Sequence, residues 1–270
     1  MSFFTDQLGR TIALPSVPQR IVSLVPSQTE LLFDLGLDQQ VVGITKFCVH
    51  PDHWFRHKTR IGGTKTLHID RIHALQPDLV IANKEENVKE QVEQLAEHYP
   101  VWISDIHNLD SALDMMQRVG DITGTAAKAA TIVQQVRQGF SSLSSLSLPV
   151  NTAYLIWKDP WMTIGGDTFI HDMLTRCGLQ NVFGGTTRYP EISLERLRGA
   201  TSATDHTSAA AQCILLSSEP FPFQQKHIDA LQQEFPGTTI LLVDGEMFSW
   251  YGSRLLHAPG YFGELLKKLQ

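Results

Sequence analysis

Short apolar runs alternate with helix-like segments along this chain of 270 residues. In the first half the apolar runs stand at residues 21–25, 41–45, 79–82 and 101–104. In the second half they return at residues 153–157, 214–217 and 239–243. Because strands that alternate with helices form mostly parallel sheets, the expected fold class is α/β, with two small α/β lobes.

An amphipathic helix is predicted between the two halves, at residues 125–146. Its apolar residues recur at helical spacing and can pack on one face: Ala129, Ile132, Val133, Val136, Phe140 and Leu143. Gly124 can end the preceding helix, and Thr125 can begin this one. We therefore predict an N-terminal lobe at residues 1–123, a connecting backbone helix at 124–148 and a C-terminal lobe at 149–270.

The charge and composition of the chain exclude some partners. Acidic residues outnumber basic ones by 28 to 22, the formal net charge is -6, and no long basic run occurs. Nucleic acid and an anionic membrane surface are therefore not expected as partners. The small polar stretch at residues 199–211 is predicted to be an exposed loop or a weak helix, with no function assigned.

The cysteines and the N-terminal stretch bear on the compartment. The chain has 3 cysteines, widely spaced and without a CxxC motif, so a disulfide framework is not expected. The first residues contain neither a basic region nor a long apolar region, so no signal peptide is visible. The chain is expected to be cytoplasmic if it is the complete product.

Aromatic residues concentrate directly after the predicted strands, where open α/β sheets bind ligands. They include Phe47 in the first half and Trp157, Trp161, Phe221 and Trp250 in the second. Core packing alone would scatter aromatic residues, so this placement predicts a groove for a flat or bulky ligand. The alternative is that several of them cap the ends of the two cores.

Cys48, His50 and His53 form the candidate metal cluster, because thiolate and imidazole suit zinc and similar ions. Their spacing is not that of a zinc finger, which favours a structural or exposed role. No nucleophile elbow, phosphate loop, dinucleotide fingerprint or HExxH motif occurs, so an enzyme is not expected. The adjacent carboxylates Glu85 and Glu86 are typical of a solvated face.

Several motifs in order resemble one family over nearly the whole chain. They are RIVSLVPSQTELLFDLGL, VVGITKFCVHP, RIGGTK, IHALQPDLVIAN, GGDTFIHDMLTRCGLQNVF, YPEISLERL and LLSSEPFPF. They resemble class III substrate-binding proteins of ABC importers, the cobalamin- and siderophore-binding type also called helical-backbone metal receptors. The resemblance implies two α/β lobes joined by one long helix, a ligand cleft between the lobes, and a periplasmic, monomeric protein.

The resemblance also implies roles for single residues. Ligand contacts would come from Phe47, Trp161, Tyr189, Trp250 and Tyr251, to which the strand-end pattern adds Phe221. Glu195 resembles the second-lobe glutamate that docks onto the importer's membrane subunit. Its first-lobe counterpart would be Glu86 or Glu90.

Departures from the cobalamin binders widen the expected ligand class. Asn83 stands where those proteins tend to have tryptophan, and Ser249 and Gly252 stand where they have acidic residues. A corrinoid such as cobalamin, haem or a ferric siderophore is therefore expected as the ligand, with no intrinsic cofactor. Two alternatives are direct metal-ion binding through Cys48 and the nearby histidines, and an intracellular enzyme or sensor that reuses the receptor fold.

Overall fold

A computed structural model describes residues 1–143, 149–201 and 212–269. These residues divide into two compact units. The first unit comprises Met1–Ile106, Asp110–Arg137 and Trp250–Leu256, and the second comprises His107–Leu109, Gln138–Ser249 and His257–Gln270. A short segment from the end of the chain therefore belongs to the first unit, whereas the predicted lobes divide the chain only once, around the central helix. The α/β class is confirmed.

The first unit opens with a hairpin and continues with a parallel sheet. Strands β1 (Ser2–Thr5) and β2 (Thr11–Leu14) pair antiparallel. The sheet contains β3 (Ile21–Ser23), β4 (Val41–Ile44), β5 (Thr59–Arg60), β6 (Leu79–Asn83) and β7 (Val101–Ser104). Its order is β5-β4-β3-β6-β7, and every pairing is parallel. Continuous apolar runs form β3, β6 and β7 because both faces of a parallel sheet are covered.

Helices alternate with these strands. They are α1 (Pro26–Asp34), α2 (Asp52–His57), α3 (Ile69–Leu75), α4 (Lys89–Ala96) and α5 (Leu109–Ile122). Apolar residues at helical spacing predict α1 around residues 31–35, α4 at about residues 88–98 and α5 at residues 109–119. The same pattern gives no prediction for α2 and α3. Those two are six and seven residues long, too short to show a clear helical period.

The central helix, α6 (Ala126–Ser141), is shorter than predicted. Gly124 adopts a φ of 72° and ends α5, and Ala129, Ile132 and Val136 are buried, as the pattern predicts. The helix ends at Ser141, whose hydroxyl donates to the Gln138 carbonyl, since serine hydroxyls compete for backbone bonds. The rest of the predicted helix, at residues 144–146, lies outside the described residues, as do 202–211 of the predicted loop.

The second unit contains another parallel sheet. Its strands are β8 (Val150–Trp157), β9 (Met162–Thr163), β10 (Leu179–Asn181), β11 (Cys213–Ser217) and β12 (Thr239–Val243). The order is β10-β8-β11-β12 with parallel pairing, and β9 pairs antiparallel with β8. The helices are α7 (Phe169–Arg176), α8 (Leu194–Thr201), α9 (Gln225–Glu234), α10 (Gly245–Ser249) and α11 (Ala258–Lys267).

The two sheets share one strand order. In the first unit β3 lies between β4 and β6, and β7 lies beyond β6. In the second unit β8 lies between β10 and β11 in the same way, and β12 lies beyond β11. By this order β6 corresponds to β11, so α3, which precedes β6, corresponds to α8, which precedes β11. No helix in the described part of the chain combines the length and apolar character that a membrane crossing requires.

Candidate functional site

Polar side chains are buried at the carboxyl ends of the strands in the first unit. Asn83 ends β6, and its Oδ1 accepts from the backbone amides of Glu85 at 2.8 Å and Glu86 at 3.0 Å. Its Nδ2 donates to Ser104 Oγ at the end of β7, 3.0 Å away. Asn83 therefore shapes the loop that carries the two glutamates.

The loop after β6 meets the C-terminal segment of the same unit through a tyrosine. Tyr251 Oη donates to Glu86 Oε1 at 2.5 Å, and Tyr251 is only 7% exposed. Burial, together with the nearby Glu86 carboxylate, raises the pKa of Tyr251 well above its usual value, so the phenol keeps its proton. The next residue, Gly252, has no room for a side chain, because a Cβ there would lie 2.2 Å from the Ser27 carbonyl oxygen and clash with it.

Trp250 is packed within the first unit and is also 7% exposed. The His50 ring meets it edge-on at 5.5 Å between centroids, and the Arg254 guanidinium lies 4.9 Å from its ring centroid. Arg254 also donates to both carboxylate oxygens of Glu30, at 2.9 and 2.6 Å. The structure thus places the predicted ligand residues Trp250 and Tyr251 mostly below the surface, where they hold the segment in place.

Phe47 is the exposed aromatic residue at this edge of the first unit. It follows β4, 50% of its surface is accessible, and Lys46 Nζ lies 5.0 Å from its ring centroid. An exposed ring after a parallel strand has the position that ligand-binding residues occupy in open α/β sheets. The role of Phe47 as a ligand contact stays a prediction.

The three residues of the candidate metal cluster point to different neighbours. Cys48 Sγ is buried between the hydroxyls of Thr29 at 3.1 Å and Thr45 at 3.2 Å. His50 faces Trp250, and His53 packs edge-on against Phe33 at 5.2 Å. In the part of the chain that the structure describes, no three histidine, cysteine, aspartate or glutamate side chains are grouped to hold a metal ion. The sequence neighbours are therefore not assembled into a metal centre.

The cysteines are expected to be inert in the folded protein. Burial raises the pKa of Cys48 to about 11 and that of Cys177 and Cys213 to about 12. Only the thiolate attacks a disulfide reagent, so at pH 8 we expect no reaction with Ellman's reagent over minutes. In guanidinium chloride all three thiols should react at once. Fast reaction of one native thiol would contradict this burial.

In the second unit, aromatic rings cluster at the carboxyl ends of β8 and β11. Trp157 ends β8 and meets Phe221 edge-on at 5.6 Å, and Phe221 lies 4.7 Å from Phe223. Trp161 stacks on Phe223 at 6.1 Å, with ring planes only 7° apart. We call Trp157, Trp161, Phe221 and Phe223 the aromatic patch. Trp157 is 38% exposed. The strand-end pattern includes it among the aromatic residues of the predicted groove, although the resemblance gives it no ligand contact.

His227 borders the aromatic patch, and Tyr189 lies on a neighbouring segment. His227 meets both phenylalanine rings at 5.4 Å, and its Nδ1 accepts from the Gln224 amide at 2.9 Å. Burial lowers the pKa of His227, with help from Lys226 and Lys158, which favours a neutral ring. Tyr189 is half-buried on a segment that runs beside β9, where the Thr163 amide donates to the Pro190 carbonyl at 3.1 Å.

The candidate docking glutamates differ in exposure. Glu195 is exposed in the first turn of α8, and Glu90 is exposed in the first turn of α4. Glu86 is half-buried and accepts from Tyr251, as described above. A carboxylate already bonded within its own unit is a poorer partner for an external cation. Glu86 is therefore a weaker docking candidate than the exposed Glu90 and Glu195.

Comparisons with known proteins agree with this architecture. Residues 21–206 match the family model described as periplasmic binding protein. A vitamin B12-binding protein of Yersinia pseudotuberculosis serotype O:3 (strain YPIII) is 26% identical over 214 residues, covering 73% of this chain and 76% of that protein. Among solved structures, the periplasmic haem-binding protein BhuT in complex with two haems has a TM-score of 0.79 at 18% identity, covering 92% of this chain and 98% of its own. The siderophore-binding protein BauB, bound to two acinetobactin molecules and ferric iron, has a TM-score of 0.76 at 16% identity and covers 97% of each chain.

Proposed function

The chain belongs to the periplasmic binding protein family, and from this premise we propose that it is the substrate-binding protein of an ABC importer. Its ligand is a metal-containing small molecule of the corrinoid, haem or ferric siderophore class. The relatives named above bind vitamin B12, haem or a ferric siderophore. Such a molecule is cargo and not an intrinsic cofactor. The members of this family are binding proteins, and we propose that this chain likewise catalyses no reaction.

The observation that carries this proposal is the aromatic patch. Trp157, Trp161 and Phe221 present partly exposed rings at the carboxyl ends of parallel strands, and Phe223 is buried in the core beside them. Such an apolar, polarisable surface suits a macrocycle or a conjugated siderophore. We assign ligand contact to Trp157, Trp161 and Phe221, and Phe47 stays a candidate ligand residue from the resemblance. Trp250 and Tyr251 pack within the first unit, against His50, Arg254 and Glu86.

A ligand screen tests the proposal. The purified protein is titrated with cobalamin, haemin and several ferric siderophores while tryptophan fluorescence and ligand absorbance are followed. Saturable binding of one ligand, with quenching of tryptophan emission, supports the proposal. If none of the three classes binds saturably, the proposed function is wrong for this chain.

Direct binding of a metal ion is a weaker candidate. The protonated thiol of Cys48 is engaged by Thr29 and Thr45, and its raised pKa disfavours a thiolate ligand. Elemental analysis of protein purified without a histidine tag tests this alternative. One equivalent of metal lost on Cys48→Ala substitution would support it, and a metal content far below one equivalent would exclude it.

The shared strand order supports a choice of candidate importer docking residues. Glu195 is the second residue of α8, and the corresponding helix of the first unit is α3, whose second residue is the exposed Asp70. Asp70 is therefore the position equivalent to Glu195, while Glu90 occupies the same position in the next helix, α4. We propose that Glu195 and Asp70 dock onto cationic side chains of the importer, with Glu90 and Glu86 as competing candidates.

Charge reversal separates these candidates. Glu195→Lys and Asp70→Lys are each expected to weaken association with the importer's membrane subunits in proteoliposomes about tenfold, with ligand affinity unchanged. Glu97→Lys is the matched control, because Glu97 is an exposed acid at the other end of α4. If Glu90→Lys weakens association and Asp70→Lys does not, Glu90 is the docking residue of the first unit.

Location and assembly belong to the same proposal. We propose a periplasmic protein, the location that the family's description names, and a monomer. Cell fractionation tests the first statement, and light scattering coupled to size-exclusion chromatography tests the second. A cytoplasmic fraction would instead favour the intracellular enzyme or sensor considered above.

A further inference from the structure

Two histidines contact each other at the amino ends of the first unit's strands. The loop that carries Glu86 lies at the carboxyl ends of the same sheet. His73 lies in the last turn of α3, which leads into the amino end of β6. His98 and Tyr99 follow α4 and lead into the amino end of β7. The two imidazole rings stand 5.2 Å apart between centroids, with their planes at 78°. The fold thus joins histidines that are 25 positions apart in the sequence.

We propose that His73 and His98 bind a divalent transition-metal ion of the zinc and copper class, separate from any cargo. With a metal–nitrogen distance of about 2.1 Å, two imidazoles on a tetrahedral ion hold their ring centroids roughly 5 Å apart. The observed 5.2 Å between the two centroids is close to this separation. Water completes the coordination, since the site has only two protein ligands.

Tyr99 orients one of the two ligands. His73 Nδ1 lies 2.9 Å from Tyr99 Oη, and the rings are 5.6 Å apart. When Nδ1–H donates to the phenol oxygen, the lone pair is left on Nε2, as in most metal-bound histidines. Tyr99 is thus a positioning residue. Within the described residues no hydrogen bond engages the His73 Nε2 atom or the ring nitrogens of His98.

The site is accessible. His98 is exposed and His73 is half-buried, so an ion can approach from solvent without opening the unit. Both residues lie at the amino ends of strands, whereas Phe47 and the loop of Glu86 lie at the carboxyl ends. Metal binding at this pair is therefore expected to leave cargo binding unchanged.

Titration with Zn²⁺ tests the proposal, using metal-free protein without a histidine tag and isothermal calorimetry. We expect one equivalent to bind, and we expect His73→Asn and His98→Asn each to weaken that binding at least tenfold. The double variant should lose Zn²⁺ binding altogether, because it retains neither protein ligand. Tyr99→Phe should weaken binding about tenfold, within the range for partners of metal-bound histidines.

Two controls keep the result specific. His257→Asn removes an exposed histidine of the second unit and should leave Zn²⁺ affinity unchanged. His53→Asn tests the other close pair, His53 and His57, which are four residues apart on α2. If His73→Asn proves unstable, the comparison uses His98→Asn, because His98 is exposed. Undiminished binding in His98→Asn, a loss in His53→Asn instead, or no saturable binding at millimolar Zn²⁺ would overturn the proposal.

Discussion

Replacing Arg254 with alanine is expected to lower the free energy of unfolding by about 3 kcal/mol, because it leaves a largely buried carboxylate without its cation. Arg254 binds both oxygens of Glu30, and only 12% and 15% of the two side chains are exposed. The substitution also removes the guanidinium from the Trp250 ring. Urea-induced unfolding followed by fluorescence and circular dichroism measures the loss.

A surface ion pair is the matched control. Arg56 pairs with Asp52 on α2, where both side chains are mostly exposed, so Arg56→Ala should cost less than about 1 kcal/mol. Replacing both Glu30 and Arg254 with leucine should restore part of the stability that Arg254→Ala loses, since a buried pair can be exchanged for apolar side chains. If Arg254→Ala and Arg56→Ala lose the same free energy of unfolding, burial does not make the Glu30–Arg254 pair important for stability.

The loss of stability in the Arg254→Ala variant is expected to decrease at low pH. Burial raises the pKa of Glu30 even beside Arg254, and without the guanidinium that pKa rises further. A folded carboxyl with a raised pKa binds its proton more tightly than the unfolded chain does. The deficit in stability is therefore largest near pH 7 and shrinks as the pH falls through the folded pKa. A deficit that grows on acidification would exclude this explanation.

Replacing Trp157 with alanine is expected to weaken ligand binding by about 30-fold, the effect of a central aromatic anchor worth about 2 kcal/mol. Trp157 has an exposed face and is held edge-on by Phe221, so the ring is already oriented before a ligand arrives. Because the side chain is partly exposed, the loss in unfolding free energy should stay near 1 kcal/mol. Fluorescence titration with the ligand found in the screen measures the affinity.

The control for Trp157 is an aromatic residue that is exposed elsewhere. Phe3 lies on β1 of the N-terminal hairpin, and Phe3→Ala should leave affinity within twofold of the parent chain. Trp157→Phe should retain part of the affinity, because a smaller ring keeps the flat contact. If Trp157→Ala binds as tightly as Phe3→Ala, the aromatic patch is not the ligand surface.

Local signals in the sequence mark several helix ends in the structure. Gly124 and Gly178 end helices with positive φ, and Thr168 caps α7 by accepting from the His171 amide. These signals act within a few residues, so they can be read without knowledge of the fold. The short helices α2 and α3 were missed because their packing decides their existence and their period is too short to detect.

The candidate metal cluster shows where proximity in sequence misleads. Cys48, His50 and His53 are close along the chain, yet the backbone turns each side chain toward a different neighbour. The opposite holds for His73 and His98, which the sequence scatters and the sheet brings together. Metal sites depend on direction as well as distance, and direction is set by the elements on which the ligands lie.

By itself the sequence determined the α/β class, the parallel strands β3, β4, β6, β7, β8, β11 and β12 and the aromatic character of the strand ends, because the apolar runs and the stop signals are local. It did not predict the short parallel strands β5 and β10. Only the tertiary structure decided that Trp250–Leu256 belongs with the first unit, where Arg254 meets Glu30 across 224 positions of chain. It also decided that Trp157 keeps an exposed face while Trp250 and Tyr251 are buried. Burial and long-range pairing depend on which surfaces the folded chain covers, and no local pattern encodes that.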